Sequence, residues 1–319
     1  MHVIEFDFES KQERQIPAAD VAPACAAGRF CWVDIDREAE PDAVKAMLAE
    51  LRIAPEVADE ITGPDIDGRH DVYDDVLHFT LTSLLFVDGK LCTYFVDVAV
   101  GERYLLSIHH GKVEFLERVR RIYRRDFLRF ARSGGFLLYE YWDQLIHGYR
   151  KAFRALDRQS GKVQEGILNA TDDSIFEQAA RIQADMVTLR KSMLAAREVL
   201  HEMITRRTSF VSESTVPSLE RLAGALDRLV ADLTTERESL AETLNLYMGI
   251  VAHRTNRVIN RLTVLNAVFL PLTFLVGMYG VNFPDLPGTQ VPGGYYLFWL
   301  ACILIAAGLL FYMRRKKWL

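Results

Sequence analysis

Asn245, Gly249, Ala252, Asn256, Ile259, Leu262, Asn266, Leu270, Thr273 and Gly277 recur at intervals of three or four residues toward the C-terminal end of the chain. On an α-helix that interval gathers them into one stripe. The stripe alternates amide or hydroxyl groups with apolar ones and holds no ionisable side chain. Repeated around an axis by several copies, it could hydrogen-bond the water around a cation at Asn266 and Thr273. Rings of Ile259, Leu262 and Leu270 could close the same path by dewetting. Asn and Thr also join helices inside a bilayer without any ion, and the pattern alone leaves both readings open.

The elements that must position this stripe are apolar. Leu262 to Met278 carries no charge, and its length of about 17 residues is near the lower limit for a hydrocarbon core of about 30 Å. Snorkelling of Arg261 would extend it. Tyr295 to Met313 is also uncharged, and about 19 residues span easily. The two runs predict a hairpin through a membrane. Arg254, Arg257 and Arg261 precede the first, Arg314, Arg315, Lys316 and Lys317 follow the second, and Tyr279 to Gly294 holds no Lys or Arg. The positive-inside rule then puts both ends in the cytoplasm and the short loop outside. Tyr295, Tyr296, Trp299 and Trp318 suit aromatic belts at the two interfaces. Pro271 removes one backbone hydrogen bond in mid-span, so a modest kink is expected.

Upstream of the first span no proline interrupts the chain back to Pro217, which suits a helix start. Ser218 to Met278 therefore reads as one helix of about 90 Å, a stalk that continues into the membrane. Phe136 to Asn169 and Ser174 to Arg207 read as two long antiparallel helices around Thr171-Asp172-Asp173. Before them, Phe30–Ile35, Val76–Phe86, Leu91–Val100 and Tyr104–His109 are β-branched and aromatic runs. Asp88-Gly89 and Gly101-Glu102 lie between successive ones as hairpin turns would. Pro41 to Leu51 has helical spacing, so residues 1 to 135 predict a sheet with helices packed on it. Lys112 to Phe130 is a helix rich in arginine, expected to present a solvated or inter-subunit face.

The chain of 319 residues carries 38 Lys and Arg against 43 Asp and Glu, a formal charge of −5. That mild acidity gives no reason to expect nucleic acid as a partner. The N-terminal segment contains Glu5, Asp7 and Glu9 and lacks the apolar stretch of a signal peptide. Cys25, Cys31, Cys92 and Cys302 show no Cys-x-x-Cys spacing and read as small buried hydrophobes. No nucleophile, phosphate loop or metal cluster is evident, so an enzyme is not expected, nor a cofactor.

Tyr279-Gly280-Val281-Asn282-Phe283 closely resembles the Gly-Met-Asn signature of the CorA family of divalent metal ion transporters. It sits behind Phe269-Leu270-Pro271-Leu272-Thr273-Phe274 and ahead of a Lys316-Lys317-Trp318-Leu319 terminus. Phe30-Cys31-Trp32-Val33-Asp34-Ile35-Asp36 and Tyr104-Leu105-Leu106-Ser107-Ile108-His109 look like the family's N-terminal domain, so the resemblance covers essentially the whole chain. Val281 stands where the signature has Met, a variant shared with the zinc-associated ZntB group, and it leaves the ion open.

The resemblance implies an α+β fold: a cytosolic mixed α/β domain with a long helical sheath and a stalk helix, plus a C-terminal transmembrane hairpin. The corresponding divisions are 1–135 for the sheet domain, 136–211 for the long antiparallel helices and 212–278 for the stalk and first span. The signature loop, second span and basic tail follow at 279–294, 295–313 and 314–319. It further implies a homopentamer in the inner membrane, with the first spans around the axis. Tyr279, Gly280, Val281 and Asn282 would lie at the pore mouth, where the Asn282 amide meets a still-hydrated ion. Arg314, Arg315, Lys316 and Lys317, simplest as topology anchors, would form a basic collar near the cytoplasmic exit. Mg²⁺ is the leading cargo, with Co²⁺ or Ni²⁺ tolerated. Zn²⁺ transport of the ZntB kind is the rival, and a non-conducting membrane scaffold or regulator is a third reading. Relatives carry regulatory aspartates between subunits. Here Asn245 stands at one such place, and Asp71, Asp74 and Asp75 are weak candidates against a solvated turn. His109-His110 could hold zinc only with a third ligand.

Overall fold

The computed structural model describes residues 1–63, 70–72, 76–87, 89–167, 174–205, 211–281 and 292–316, with the backbone alone for 70–72. It divides into two compact units, Met1–Ala241 and Glu242–Leu319.

The first unit is built on a seven-stranded sheet. Its strands are β1 (His2–Asp7), β2 (Gln12–Gln15), β3 (Phe30–Asp36), β4 (His70–Val72), β5 (Leu77–Val87), β6 (Lys90–Val100) and β7 (Tyr104–His109). The spatial order is β2-β1-β3-β7-β6-β5-β4. Among the described residues only β3 and β7 pair in parallel. Both are almost wholly buried, because a central strand covered on both faces needs side chains that leave water in both directions. Gly89, at φ +79°, supplies the left-handed residue that the tight β5–β6 connection requires.

Alternation along β3 shows why helices cover both faces. Cys31, Val33 and Ile35 join one core with Val21 of α1 (Val21–Ala26), Val44, Met47 and Leu48 of α2 (Pro41–Glu50), and Val57 and Ile61 of α3 (Pro55–Thr62). Trp32 and Asp34 point to the opposite face. There α4 (Glu114–Phe130), α5 (Gly135–Gly166) and α6 (Ser174–Thr205) close the other side. Phe6 on β1 meets Phe127 of α4 and Phe136 of α5 at centroid distances of 4.9 and 5.5 Å. Tyr149 of α5 donates its hydroxyl to the Thr82 carbonyl of β5 at 2.6 Å.

That second face contains a polar chain. Trp32 Nε1 donates to the Tyr141 hydroxyl at 2.7 Å, Tyr141 donates to Ser107 Oγ at 2.9 Å, and Ser107 donates to the buried Asp34 carboxylate. Arg120 of α4 pairs with the other Asp34 oxygen, and His109 Nε2 lies 3.6 Å from Oδ1. Burial alone would raise the Asp34 pKa, but His109, Arg120 and Ser107 outweigh it and hold it below the ordinary value. Burial likewise opposes a charge on His109, yet Asp34 and the Gly111 carbonyl, 2.7 Å from Nδ1, push its pKa up. The network therefore sets the Asp34 carboxylate against the Arg120 guanidinium, with the His109 ring beside it, rather than leaving an unpaired buried charge.

Several expectations change here. The helix at Lys112–Phe130 starts at Glu114, and its arginines are not simply solvated: Arg120 turns inward, Arg118 pairs with Glu114 at 2.7 Å, and Arg124 pairs with Glu13 at 2.9 Å. His109 and His110 do not converge, because successive strand residues face opposite ways: His109 is buried and His110 exposed. All four cysteines are free thiols.

In the first unit the long helix α7 (Val216–Tyr279) packs its early turns through Leu219, Leu226 and Leu233, all fully buried. Ser160 of α5 donates to Glu236 at 2.7 Å, and Arg197 of α6 lies 3.6 Å from Asp227. The second unit holds the remainder of α7 and α8 (Gly294–Arg315).

Candidate functional site

The predicted stalk helix, Ser218–Met278, is α7 with one or two residues added at each end, continuous through Pro271. The second span, Tyr295–Met313, is α8. Both are long and apolar enough to cross a membrane.

Within the apolar part of α7 only Val264 is buried, at 6% exposure, while Ala267, Val268, Pro271, Leu272 and Leu275 are partly covered. On α8 the covered positions are Gly294, Phe298, Cys302, Ala306, Leu309 and Met313, again three or four apart. Tyr279 at the end of α7 meets Phe298 of α8, with ring centroids 5.1 Å apart. Each helix thus has one covered side.

The polar stripe lies on the uncovered side of α7. Residues two apart on an α-helix point about 200° away from one another. Asn266 is two from both Val264 and Val268, Thr273 two from both Pro271 and Leu275. Leu262, Asn266, Leu270, Thr273 and Gly277 are all exposed, Leu270 at 71%. Asn245, Gly249, Ala252, Asn256 and Ile259 are exposed as well. The Thr273 hydroxyl donates to the Phe269 carbonyl at 2.8 Å, which leaves its lone pairs to act as acceptors. Pro271 has no N–H for the Ala267 carbonyl, a second oxygen without its helical partner.

At the end of α7 the Gly280 N–H closes the last turn on the Val276 and Gly277 carbonyls, at 2.8 and 3.2 Å. A Cβ on Gly280 would stand 3.1 Å from the Val276 oxygen, tighter than ordinary contact. Tyr279, Gly280 and Val281 are exposed, and Asn282 lies outside the described residues. Arg314 and Arg315 end α8 and Lys316 caps it through the Tyr312 carbonyl, while Lys317 lies outside the description. Of the weak metal candidates, Asp71 is described only as backbone of β4, and Asp74 and Asp75 fall outside. Among the described residues, no three His, Cys, Asp or Glu side chains are grouped to hold an ion.

An α/β domain, one long helix and a C-terminal pair of helices apolar enough to cross a membrane define the architecture of a two-span membrane transport protein. The chain belongs to the CorA-like Mg²⁺ transporter protein family, whose model matches residues 27–315. It is 28% identical over 324 residues to the cobalt/magnesium transport protein CorA of Thermotoga maritima, spanning 100% of this chain and 92% of that one. It is 23% identical over 304 residues to the zinc transport protein ZntB of Yersinia enterocolitica, spanning 91% and 88%. The fold matches the complete CorA magnesium transporter of Methanocaldococcus jannaschii with a TM-score of 0.80 at 19% identity, covering 100% of this chain and 99% of that one. It also matches the full-length CmaX protein at 0.76 and 18% identity, covering 100% and 98%. The protein is a divalent metal ion transporter of this family with two candidate membrane spans near its C-terminus.

Proposed function

We propose that the chain assembles as a homopentamer in the inner membrane and passes Mg²⁺ along the shared axis of five α7 helices, with Co²⁺ or Ni²⁺ tolerated. The observation that carries this reading is the opposition of the two sides of α7. Apolar residues cover one side, and on the other Asn266 and Thr273 alternate with Leu262 and Leu270. In a bilayer the exposed amides are costly against lipid and are favoured where they face water or each other. Neutral amide oxygens suit an ion that gives up its own water reluctantly. The ring of Asn282 amides would meet that ion at the outer mouth. Both termini, with the basic residues Arg314, Arg315, Lys316 and Lys317, would be cytoplasmic.

Zn²⁺ as cargo is the second reading, favoured by Val281 in the signature and by the ZntB relatives. Neither apolar span contains Asp, Glu, His, Lys or Arg, so a proton relay of titratable side chains has no seat inside them. A non-conducting scaffold is the third.

Purified protein in liposomes loaded with magnesium, zinc or pH dyes separates the three. Magnesium entry that falls sharply in Asn282→Ala supports the first reading. Zinc entry that follows a proton gradient would replace it with the second, and no flux of any metal with the third.

A further inference from the structure

His78, on β5, is 2% exposed, and neither of its ring nitrogens has a hydrogen-bond partner. Nδ1 lies 3.5 Å from Oε2 of Glu60 on α3, and Nε2 lies 3.7 Å from Oδ1 of Asp97 on β6. Glu60 Oε2 is also buried and unbonded. An N–H···O hydrogen bond would draw these atoms to about 2.7–3.2 Å. Leaving a buried imidazole and a carboxylate oxygen facing each other without one costs free energy on both sides.

The Nδ1–Oε2 separation suits two ligands of one ion. A nitrogen and an oxygen each ~2.0–2.1 Å from a tetrahedrally bound zinc stand about 3.4 Å apart. The far side of the ring fits the same arrangement. A metal-bound imidazole characteristically donates its other N–H to a carboxylate, which fixes its tautomer and raises its basicity. Asp97 is the carboxylate on that side, 3.7 Å from Nε2 with its Oδ1 held by the Thr80 hydroxyl at 2.8 Å, so the ring has to close on it to make that bond. Glu60 and Asp97 keep side-chain exposures of 27% and 23%, a route in from solvent for the ion and its remaining waters.

We propose that Glu60 Oε2 and His78 Nδ1 bind a divalent ion of the borderline class, Zn²⁺, Co²⁺ or Ni²⁺, within the α/β domain, with Asp97 as the positioning residue. Mg²⁺ is a poor occupant, because it prefers oxygen ligands in a small octahedron and imidazole nitrogen favours the later transition metals. With two side-chain ligands, water completes the shell and the affinity is modest. Occupancy would tie α3 to the sheet at β5. The site is separate from the α7 stripe, so its existence does not depend on which ion is carried.

The test uses full-length protein purified in detergent without a polyhistidine tag, in excess Mg²⁺ to fill oxygen-only sites. Co²⁺ is titrated by visible absorption and Zn²⁺ by calorimetry. One Co²⁺ per chain is expected to persist against Mg²⁺ and to vanish in His78→Gln. Asp97→Asn should weaken it 10–100-fold with the stoichiometry kept. Equal uptake and an unchanged spectrum in His78→Gln, or no uptake by the natural sequence, would overturn the site. Should His78→Gln fail to fold, Glu60→Gln at its partly exposed position decides. Zn²⁺ should raise the melting temperature of the natural sequence but not of Glu60→Gln, and equal rises in both would refute it.

Discussion

Glu140 on α5 is buried, and its carboxyl is shared with Asp126 of α4. Burial first, and then the hydrogen bond and charge of Asp126, push the Glu140 pKa from 4.5 to about 8. Asp126 is held below its ordinary value chiefly by Arg125, 2.9 Å away, so the shared proton resides on Glu140. The sign follows directly. Unfolded, Glu140 ionises above about 4.5; folded, it keeps its proton to about 8. Stability therefore falls steadily as pH rises between those values and levels off above them. A displacement from 4.5 to about 8 corresponds to roughly 5 kcal/mol at ~1.4 kcal/mol per tenfold. Solvent at the Arg125–Asp126 rim screens part of it, leaving about 2–4 kcal/mol. Glu140→Gln keeps the donor to Asp126 and removes the titration. Urea unfolding followed by circular dichroism at pH 5 and pH 8 should show the natural sequence losing stability and Glu140→Gln losing markedly less. Parallel losses in the two proteins would refute the shared proton.

Other perturbations follow from the same contacts. Asp34→Asn leaves Arg120 and His109 facing each other without a counter-charge and should destabilise the first unit by about 3–5 kcal/mol in the same assay at pH 7. The raised pKa of His109 makes its contribution complete below about 6.5 and lost as pH rises through the folded value, whereas that of Asp34 is present above about 3.8 and lost as pH falls through its lowered value. His109→Gln should therefore flatten the alkaline loss that remains in Glu140→Gln, and an unchanged slope would remove His109 from that balance. Leu270→Asn wets a ring proposed to close by dewetting, so magnesium leak into liposomes should rise several-fold over the natural sequence. A leak no larger than before would deny Leu270 that role.

The two C-terminal helices were legible because their signals are one-dimensional: long uncharged runs free of helix-ending prolines depend only on local spacing. The α5, α6 and α7 helices ended within a few residues of their predicted bounds for the same reason. β1 was missed because Glu5 and Asp7 interrupt its apolar pattern; Glu5 is buried there only because Arg14, 2.6 Å away, and Arg29 neutralise it. The inward turn of Arg120 was equally hidden. Its partner Asp34 is 86 residues away, and a helix carrying Arg118, Arg120, Arg121, Arg124 and Arg125 looks uniformly solvated in one dimension. Glu60 and His78 meet only through the packing of α3 on the sheet, and no spacing announces them. A histidine inside the β5 run, among Leu77, Phe79 and Leu81, was the one available hint.

The direct check on the α7 stripe is substituted-cysteine accessibility in reconstituted liposomes, in a background whose four native cysteines are replaced by serine or alanine. Cysteines at Asn266, Leu270 and Thr273 should react with a water-soluble thiol reagent, and magnesium flux should fall as they do, while a cysteine at Val264 should stay unreactive and silent. Block at Val264 with silence at Asn266 and Thr273 would mean that the other side of α7 faces the ion.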